Sequence, residues 1–266
     1  MRLTVNGLGF TVEAGGSGEP LVLLHGFTGS AASWRAHRPA LEARHRVVAP
    51  DLLGHGGSDA PADPARYAMA PTVADLAGLL DQLELRAILL LGYSMGGRVA
   101  LHFAAAHPER VRGLILESAS PGLATAAERA ARIAADEALA ARIEREGLAA
   151  FVDHWERLPL FAGQAQLPAE VRAALRTQRL ANNPAGLANS LRGLGTGAQP
   201  SLWDRLPEIR TPALLMAGAL DEKFTAIAQQ MAAALPTARL AIVPAAGHTV
   251  HLEQPEAFQR LVTEFI

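Results

Sequence analysis

The sequence predicts an α/β protein, a mostly parallel, doubly wound sheet with a helical lid inserted into it. Short apolar runs of strand length alternate with helical segments through the first 120 residues, the pattern of consecutive right-handed crossovers. From about Pro121 to Leu206 the strand signal disappears, and Ala-, Arg- and Leu-rich helical segments replace it. Alternation then resumes at Pro212. The interruption is too long for a connection between neighbouring elements and too apolar for a linker. The expected organisation is therefore a core of residues 1–120 and 206–266 carrying a lid of residues 121–205.

Each element has its own signal. Leu3–Val5 and Phe10–Glu13 alternate apolar and polar around Asn6-Gly7, which predicts an antiparallel hairpin at a sheet edge. Pro20–Leu24 is a continuous apolar run, the mark of a strand buried on both faces. The loop His25-Gly26-Phe27-Thr28-Gly29-Ser30 follows, then a predicted helix through about Glu42. Arg46–Ala49 is the next strand and ends in the glycine-rich stretch Asp51–Ser58. Thr72–Leu83 has apolar positions at helical spacing. Ile88–Leu91 and Val111–Leu116 read as further buried strands. Inside the predicted lid, Gly147, Pro159, Gly163, Pro168, Pro184 and Pro200 divide the helices. Strands at Pro212–Ala217 and Arg239–Val243, a helix near Thr225–Leu235 and a closing helix from Pro255 complete the chain.

Composition excludes several function classes. At 266 residues the chain suits one large domain with an insertion. A net charge of −2 provides no general attraction for nucleic acid or an anionic membrane, so neither is an expected partner. Cysteine is absent, which removes disulfides, thiolate chemistry and cysteine-ligated metals. No apolar run reaches membrane-span length, and Met1–Val5 reads as a strand start and not a signal peptide, so the expected location is cytoplasmic. No histidine–carboxylate spacing suggests a metal site, and no glycine loop matches a phosphate cradle, so no metal and no cofactor are expected.

The chemistry centres on Gly92-Tyr93-Ser94-Met95-Gly96-Gly97-Arg98. A strand running into Gly-x-Ser-x-Gly and then a helix is the nucleophile-elbow pattern. The sharp turn lifts the Ser94 hydroxyl above the sheet at a helix N-terminus, where backbone N–H groups face developing negative charge. A serine hydroxyl is too weakly acidic to act alone and needs a base oriented by an acid. In chain order these follow as Asp221, after the Leu214–Leu220 run, and His248, after the last strand. Glu117 is a rival for the acid and His251 for the base. The oxyanion site is expected from the backbone N–H groups of Met95 and Phe27. His25 and the Gly54-His55-Gly56 loop are expected to be structural.

Arg98 departs from a plain esterase. It lies one helical turn after Ser94 on the same face, and a guanidinium so near the core needs an anion. Either an internal carboxylate such as Asp51 or Asp75 pairs with it, or a substrate carboxylate does, through its bidentate fork. Arg129, Arg132, Arg172, Arg176 and Arg179 of the lid offer further cations, most of them on expected solvated faces. Lys223, the only lysine, follows Asp221 by two residues.

These motifs match the α/β-hydrolase superfamily over almost the whole chain. The finer pattern resembles the 2-succinyl-6-hydroxy-2,4-cyclohexadiene-1-carboxylate synthase family of menaquinone biosynthesis. It rests on the His25–Ser30 loop, the elbow with Arg98, Ser120-Pro121-Gly122-Leu123 and Glu128-Arg129-Ala130-Ala131-Arg132. Trp155 with Pro159-Leu160-Phe161, Arg179 with Asn182-Asn183, and Asp221-Glu222-Lys223-Phe224 complete it. Generic hydrolases share the first motif and part of the second; Arg98 and the lid signatures discriminate better. The resemblance implies a triad of Ser94, Asp221 and His248. It also implies that Arg98, Arg132 and Arg179 bind substrate carboxylates while Tyr93, Trp155 and Lys223 line the site. The implied partner is a small tricarboxylate, and the implied reaction is elimination of pyruvate with Ser94 as a His248-activated base, a carbon–oxygen lyase activity. The motifs alone leave open a serine hydrolase, either a carboxylesterase or a C–C bond hydrolase of an acidic substrate. A ligand receptor on the same fold would need no aligned base and acid. The oligomeric state is not encoded in any motif.

Overall fold

The computed structural model describes residues 1–266. Its eight-stranded sheet runs in the order β1-β2-β4-β3-β5-β6-β7-β8. β1 (Arg2–Val5) and β2 (Leu8–Gly15) form the expected edge hairpin, and β2 also pairs antiparallel with β4 (His45–Pro50). Every other pairing is parallel: β3 (Glu19–Leu24), β5 (Ile88–Tyr93), β6 (Val111–Glu117), β7 (Ala213–Gly218) and β8 (Ala238–Val243). β5 lies at the centre with all six residues buried, as its unbroken apolar run requires. Helices on the two faces of the sheet close two apolar layers. One is built around α2 (Met69–Gln82) and α3 (Met95–Ala106), the other around Trp34 and α9 (Pro255–Phe265).

Between β6 and β7 the chain forms no strand. It makes the long α4 (Ala126–Trp155), bent at Gly147, a 3₁₀ segment Pro159–Gln166, α5 (Ala169–Leu180) and α6 (Pro184–Leu194). The bend and breaks fall at residues that the sequence marks: Gly147 takes φ 83°, and Pro184 opens α6 under an Asn183 cap. The lid has its own apolar cluster, in which Ile143, Phe151, Val152 and Leu187 are fully packed. Asn182 ties it to the core: its Oδ1 accepts from Gly56 N–H at 2.9 Å and its Nδ2 donates to Thr28 O at 2.9 Å. No helix is long and apolar enough to cross a membrane.

The helix expected through Glu42 is the main departure. The chain instead makes a 3₁₀ turn at Ala31–Trp34 and a separate short α1 (Arg38–Glu42). Pro39 has no N–H and is tolerated only in a first helical turn, so a new helix must begin there. A short α8 (Val250–Glu253), absent from the sequence expectation, follows the last loop, and α7 (Glu222–Ala234) begins three residues earlier than expected.

Candidate active site

The elbow is built as its sequence requires. Ser94 takes φ 49° and ψ −108°, a conformation that L-residues rarely adopt. Ser94 N–H donates to the Glu117 carbonyl at 2.8 Å, which pins the turn to β6. A β-carbon at Gly92 would collide with the Gly96 carbonyl, and one at Gly96 with the Leu24 carbonyl. Both positions must be glycine for strand and helix to approach this closely.

His248 Nε2 lies 3.1 Å from Ser94 Oγ, and its Nδ1 lies 2.7 Å from Asp221 Oδ2. With the hydrogen on Nδ1 donated to the carboxylate, Nε2 is free to accept the serine proton. Hydroxyl, imidazole and carboxylate thus stand in the connected order that proton abstraction needs. Asp221 is held by a second contact, from Phe224 N–H to its Oδ1 at 3.2 Å. The Phe224 ring packs edge-on against the His248 imidazole at 4.5 Å between centroids.

The two rivals bind each other instead. His251 Nδ1 lies 2.8 Å from Glu117 Oε1, its backbone N–H donates to the same oxygen at 3.0 Å, and both side chains are buried. His25 is a loop strut: its Nδ1 donates to Gly26 O at 2.8 Å and its Nε2 accepts from Leu52 N–H at 3.0 Å. Burial pulls its pKa down to about 4, which keeps it neutral, and burial likewise holds His55 at about 3. The backbone N–H of Phe27 and that of Met95, the first residue of α3, have no acceptor in the protein. They are therefore available to an oxyanion.

A cavity of about 650 Å³ opens over Ser94 and His248, roofed by lid residues. Phe27, Met95, Tyr93, Trp155, Arg98, Arg132 and Lys223 all line it. Arg98 makes no ion pair; neither Asp51 nor Asp75 reaches it. Asp51 holds Ala31 N–H and Gly57 N–H, and Asp75 pairs with Arg66. Arg98 instead donates to Leu194 O at 2.7 Å and Gln199 Oε1 at 3.2 Å. Burial lowers its pKa to about 10, and the nearby charge of Arg132 adds to this, yet the group remains cationic at neutral pH. Arg132 is half-shared with Asp136, whose Oδ1 accepts from its Nε at 2.7 Å. Burial pushes the Tyr93 phenol well above its ordinary range, so it stays neutral.

Arg179 is placed differently. It is buried behind Phe161, paired with Glu156 at 3.0 Å and bonded to Gln164 at 2.7 Å, and it faces a separate small cavity. The Ser94 cavity does not include it. Of the other lid arginines, Arg176 is paired with Asp153 and Glu156, and Arg129 donates to the Leu123 and Ala124 carbonyls. Sequence reasoning missed Gln199 and the Leu194 carbonyl, which aim Arg98. Neither carries a local signal, because the contacts span about a hundred residues.

Comparison with known proteins agrees with this architecture. A family model described as the alpha/beta hydrolase fold matches residues 19–255. A Bacillus subtilis (strain 168) relative, provisionally named 2-succinyl-6-hydroxy-2,4-cyclohexadiene-1-carboxylate synthase, is 51% identical over 96% of this chain and 92% of its own. A Klebsiella pneumoniae protein carrying the same synthase name is 39% identical over 94% of this chain and 95% of its own. The solved structure of MenH from S. aureus superposes with a TM-score of 0.92 at 37% identity, covering 96% of this chain and 97% of that one. The chain belongs to the α/β-hydrolase fold family, in the branch that contains the 2-succinyl-6-hydroxy-2,4-cyclohexadiene-1-carboxylate synthases.

Proposed function

We propose that this chain is a carbon–oxygen lyase. It eliminates pyruvate from 2-succinyl-5-enolpyruvyl-6-hydroxy-3-cyclohexene-1-carboxylate to give 2-succinyl-6-hydroxy-2,4-cyclohexadiene-1-carboxylate. The observation that carries the reading is Arg98, a buried cation that makes no ion pair of its own, its nearest carboxylate Asp136 being bonded to Arg132, one turn below a serine already hydrogen-bonded to His248. Such a cation is costly unless a ligand brings the charge, and a tricarboxylate does so.

In this reading His248 takes the Ser94 proton, and the alkoxide removes the ring proton beside the succinyl ketone. The electron pair moves onto the ketone oxygen, where the N–H groups of Phe27 and Met95 stabilise the enolate. Collapse of the enolate breaks the bond to the enolpyruvyl oxygen and completes the diene; the leaving oxygen takes the proton held on His248, so pyruvate departs in its enol form with Ser94 and His248 restored. Asp221 holds the imidazolium that forms. Arg98, Arg132 and Lys223 offer three cations to three carboxylates, with Tyr93 and Trp155 shaping the pocket. Arg179 enters through the packing of the lid, residues 121–205, over the core of residues 1–120 and 206–266. The reaction is assigned to the cytoplasm, with a small tricarboxylate as the partner and no cofactor.

The test is pyruvate release from the enolpyruvyl substrate beside cleavage of a p-nitrophenyl ester. Fast, Ser94-dependent pyruvate formation with poor ester cleavage is the expected result. Brisk ester cleavage without pyruvate, or an acyl group trapped on Ser94 during turnover, would assign the same triad to a serine hydrolase.

A further inference from the structure

The carboxylate of Glu253 lies behind the catalytic loop and touches neither Ser94 nor the large cavity. Its Oε2 accepts from Gly247 N–H at 2.7 Å, and its Oε1 accepts from Thr249 N–H at 3.0 Å and Thr249 Oγ1 at 2.6 Å. These are the residues immediately before and after His248. One half-buried carboxylate therefore clamps both flanks of the imidazole-bearing residue. A carboxylate accepting backbone N–H groups makes stronger, shorter bonds than a neutral acceptor would, which suits a residue that fixes a loop.

The same carboxylate is in contact with the lid. A β-carbon at Gly163, in the 3₁₀ segment Pro159–Gln166, would run into Glu253 Oε2, so the absence of a side chain there lets the lid backbone rest on the carboxylate. The neighbouring Gln164 donates from Nε2 to Thr249 Oγ1 at 3.3 Å and accepts from Arg179 Nη2 at 2.7 Å. Arg179 is anchored to Glu156 in turn. A continuous polar chain thus runs from the lid through Gln164 and Thr249 to the clamp on His248. Phe161 of the same segment packs edge-on against the His248 ring, 6.0 Å between centroids.

We propose that Glu253 is a positioning residue for His248, and that the lid segment Pro159–Gln166 seats against it through Gly163 and Gln164, so that lid packing sets the Ser94–His248 geometry. The proposal rests on the reading of His248 as the base. Misplacing such a group by about 1 Å costs on the order of 10²-fold in rate.

The test uses E253Q and G163A in the full chain, with pyruvate release and the low-field proton resonance of the His248–Asp221 pair as separate readouts. E253Q keeps the side-chain shape but turns one acceptor oxygen into a donor facing an N–H. Expected is a fall in kcat on the order of 10²-fold with KM little changed, a shifted His248 resonance, and a nearly normal thermal midpoint. G163A, which pushes on Glu253 from the lid side, shifts the same resonance and lowers kcat less. Its effect largely disappears when combined with E253Q, as coupling through one group requires. An unchanged resonance and kcat in folded E253Q would overturn the positioning role, and additive effects of the two variants would overturn the seating of the lid. H248N separates this from the assigned chemistry. Full pyruvate release by H248N would remove the base assignment, whereas the resonance reports the clamp without turnover.

Discussion

Arg98 Nη1 donates to the Leu194 carbonyl at 2.7 Å, joining the helix behind Ser94 to the last residue of lid helix α6. The partner is the negative end of a helix dipole, so the guanidinium is oriented without being neutralised, and its charge remains available to the cavity.

Arg98→Ala should therefore damage catalysis far more than folding. A charge-assisted hydrogen bond contributes about 1.5–3 kcal/mol, so kcat/KM for pyruvate release should fall by one to two orders of magnitude. The thermal midpoint should stay within a few degrees of the parent. A variant that unfolds would make Arg98 a strut between core and lid.

Asp221→Asn should leave the backbone intact and reduce kcat by on the order of 10⁴-fold, the scale seen when a triad acid is replaced by its amide. The amide at 2.7 Å from Nδ1 can present an N–H there and favour the wrong imidazole tautomer. Steady-state kinetics with the enolpyruvyl substrate measures this directly. Wild-type rates would remove Asp221 from the triad.

Glu117→Gln should do the opposite. Glu117 accepts from His251 through both carboxylate oxygens in a buried site, and leaving one buried polar partner unmatched costs on the order of 1–3 kcal/mol, visible as a lower urea midpoint. Turnover per folded molecule should stay within a few-fold, because the Ser94 N–H is held by the Glu117 backbone carbonyl, which the substitution keeps.

Stability should fall on the acid side of neutrality. Burial lowers the folded pKa of His25 to about 4 and of His55 to about 3, against about 6.5 in an unfolded chain. Below about 6.5 the unfolded state binds protons that the folded state refuses, so stability drops as pH falls from there toward the folded values. Above 6.5 this contribution is fully present. Urea midpoints measured from pH 7 to pH 4.5 should decline, and H55N should show a shallower decline. Equal slopes would assign the acid sensitivity to other groups.

Several features needed only local information. The elbow is a strand, a tight turn and a helix within eleven residues, and each has a compositional signature in apolar run, glycine and alanine. The sheet was equally legible, because buried parallel strands must be uninterrupted apolar runs. The order of Ser94, Asp221 and His248, just past the ends of β5, β7 and β8, followed from the same pattern. Even the break-up of the lid helices was visible at Gly147 and Pro184, where backbone chemistry acts on its own residue.

What the tertiary structure alone decided is the choice of partners. The residue types left Glu117 and His251 open as acid and base. Only the folded placement of His251 on α8 against Glu117 at the end of β6 shows that they pair with each other, 134 residues apart. Arg98 reads as a cation in search of an anion, but its holders are a carbonyl and an amide beyond any local pattern. Arg179 carries the same charge as Arg132 and sits in the same lid. Yet Arg132 lines the Ser94 cavity, and Arg179 turns behind Phe161 to Glu156 and Gln164. Propensity and periodicity act over a few residues and are written in them. Which buried charge meets which partner depends on the relative placement of distant elements, and that is set only when the whole core and lid close together.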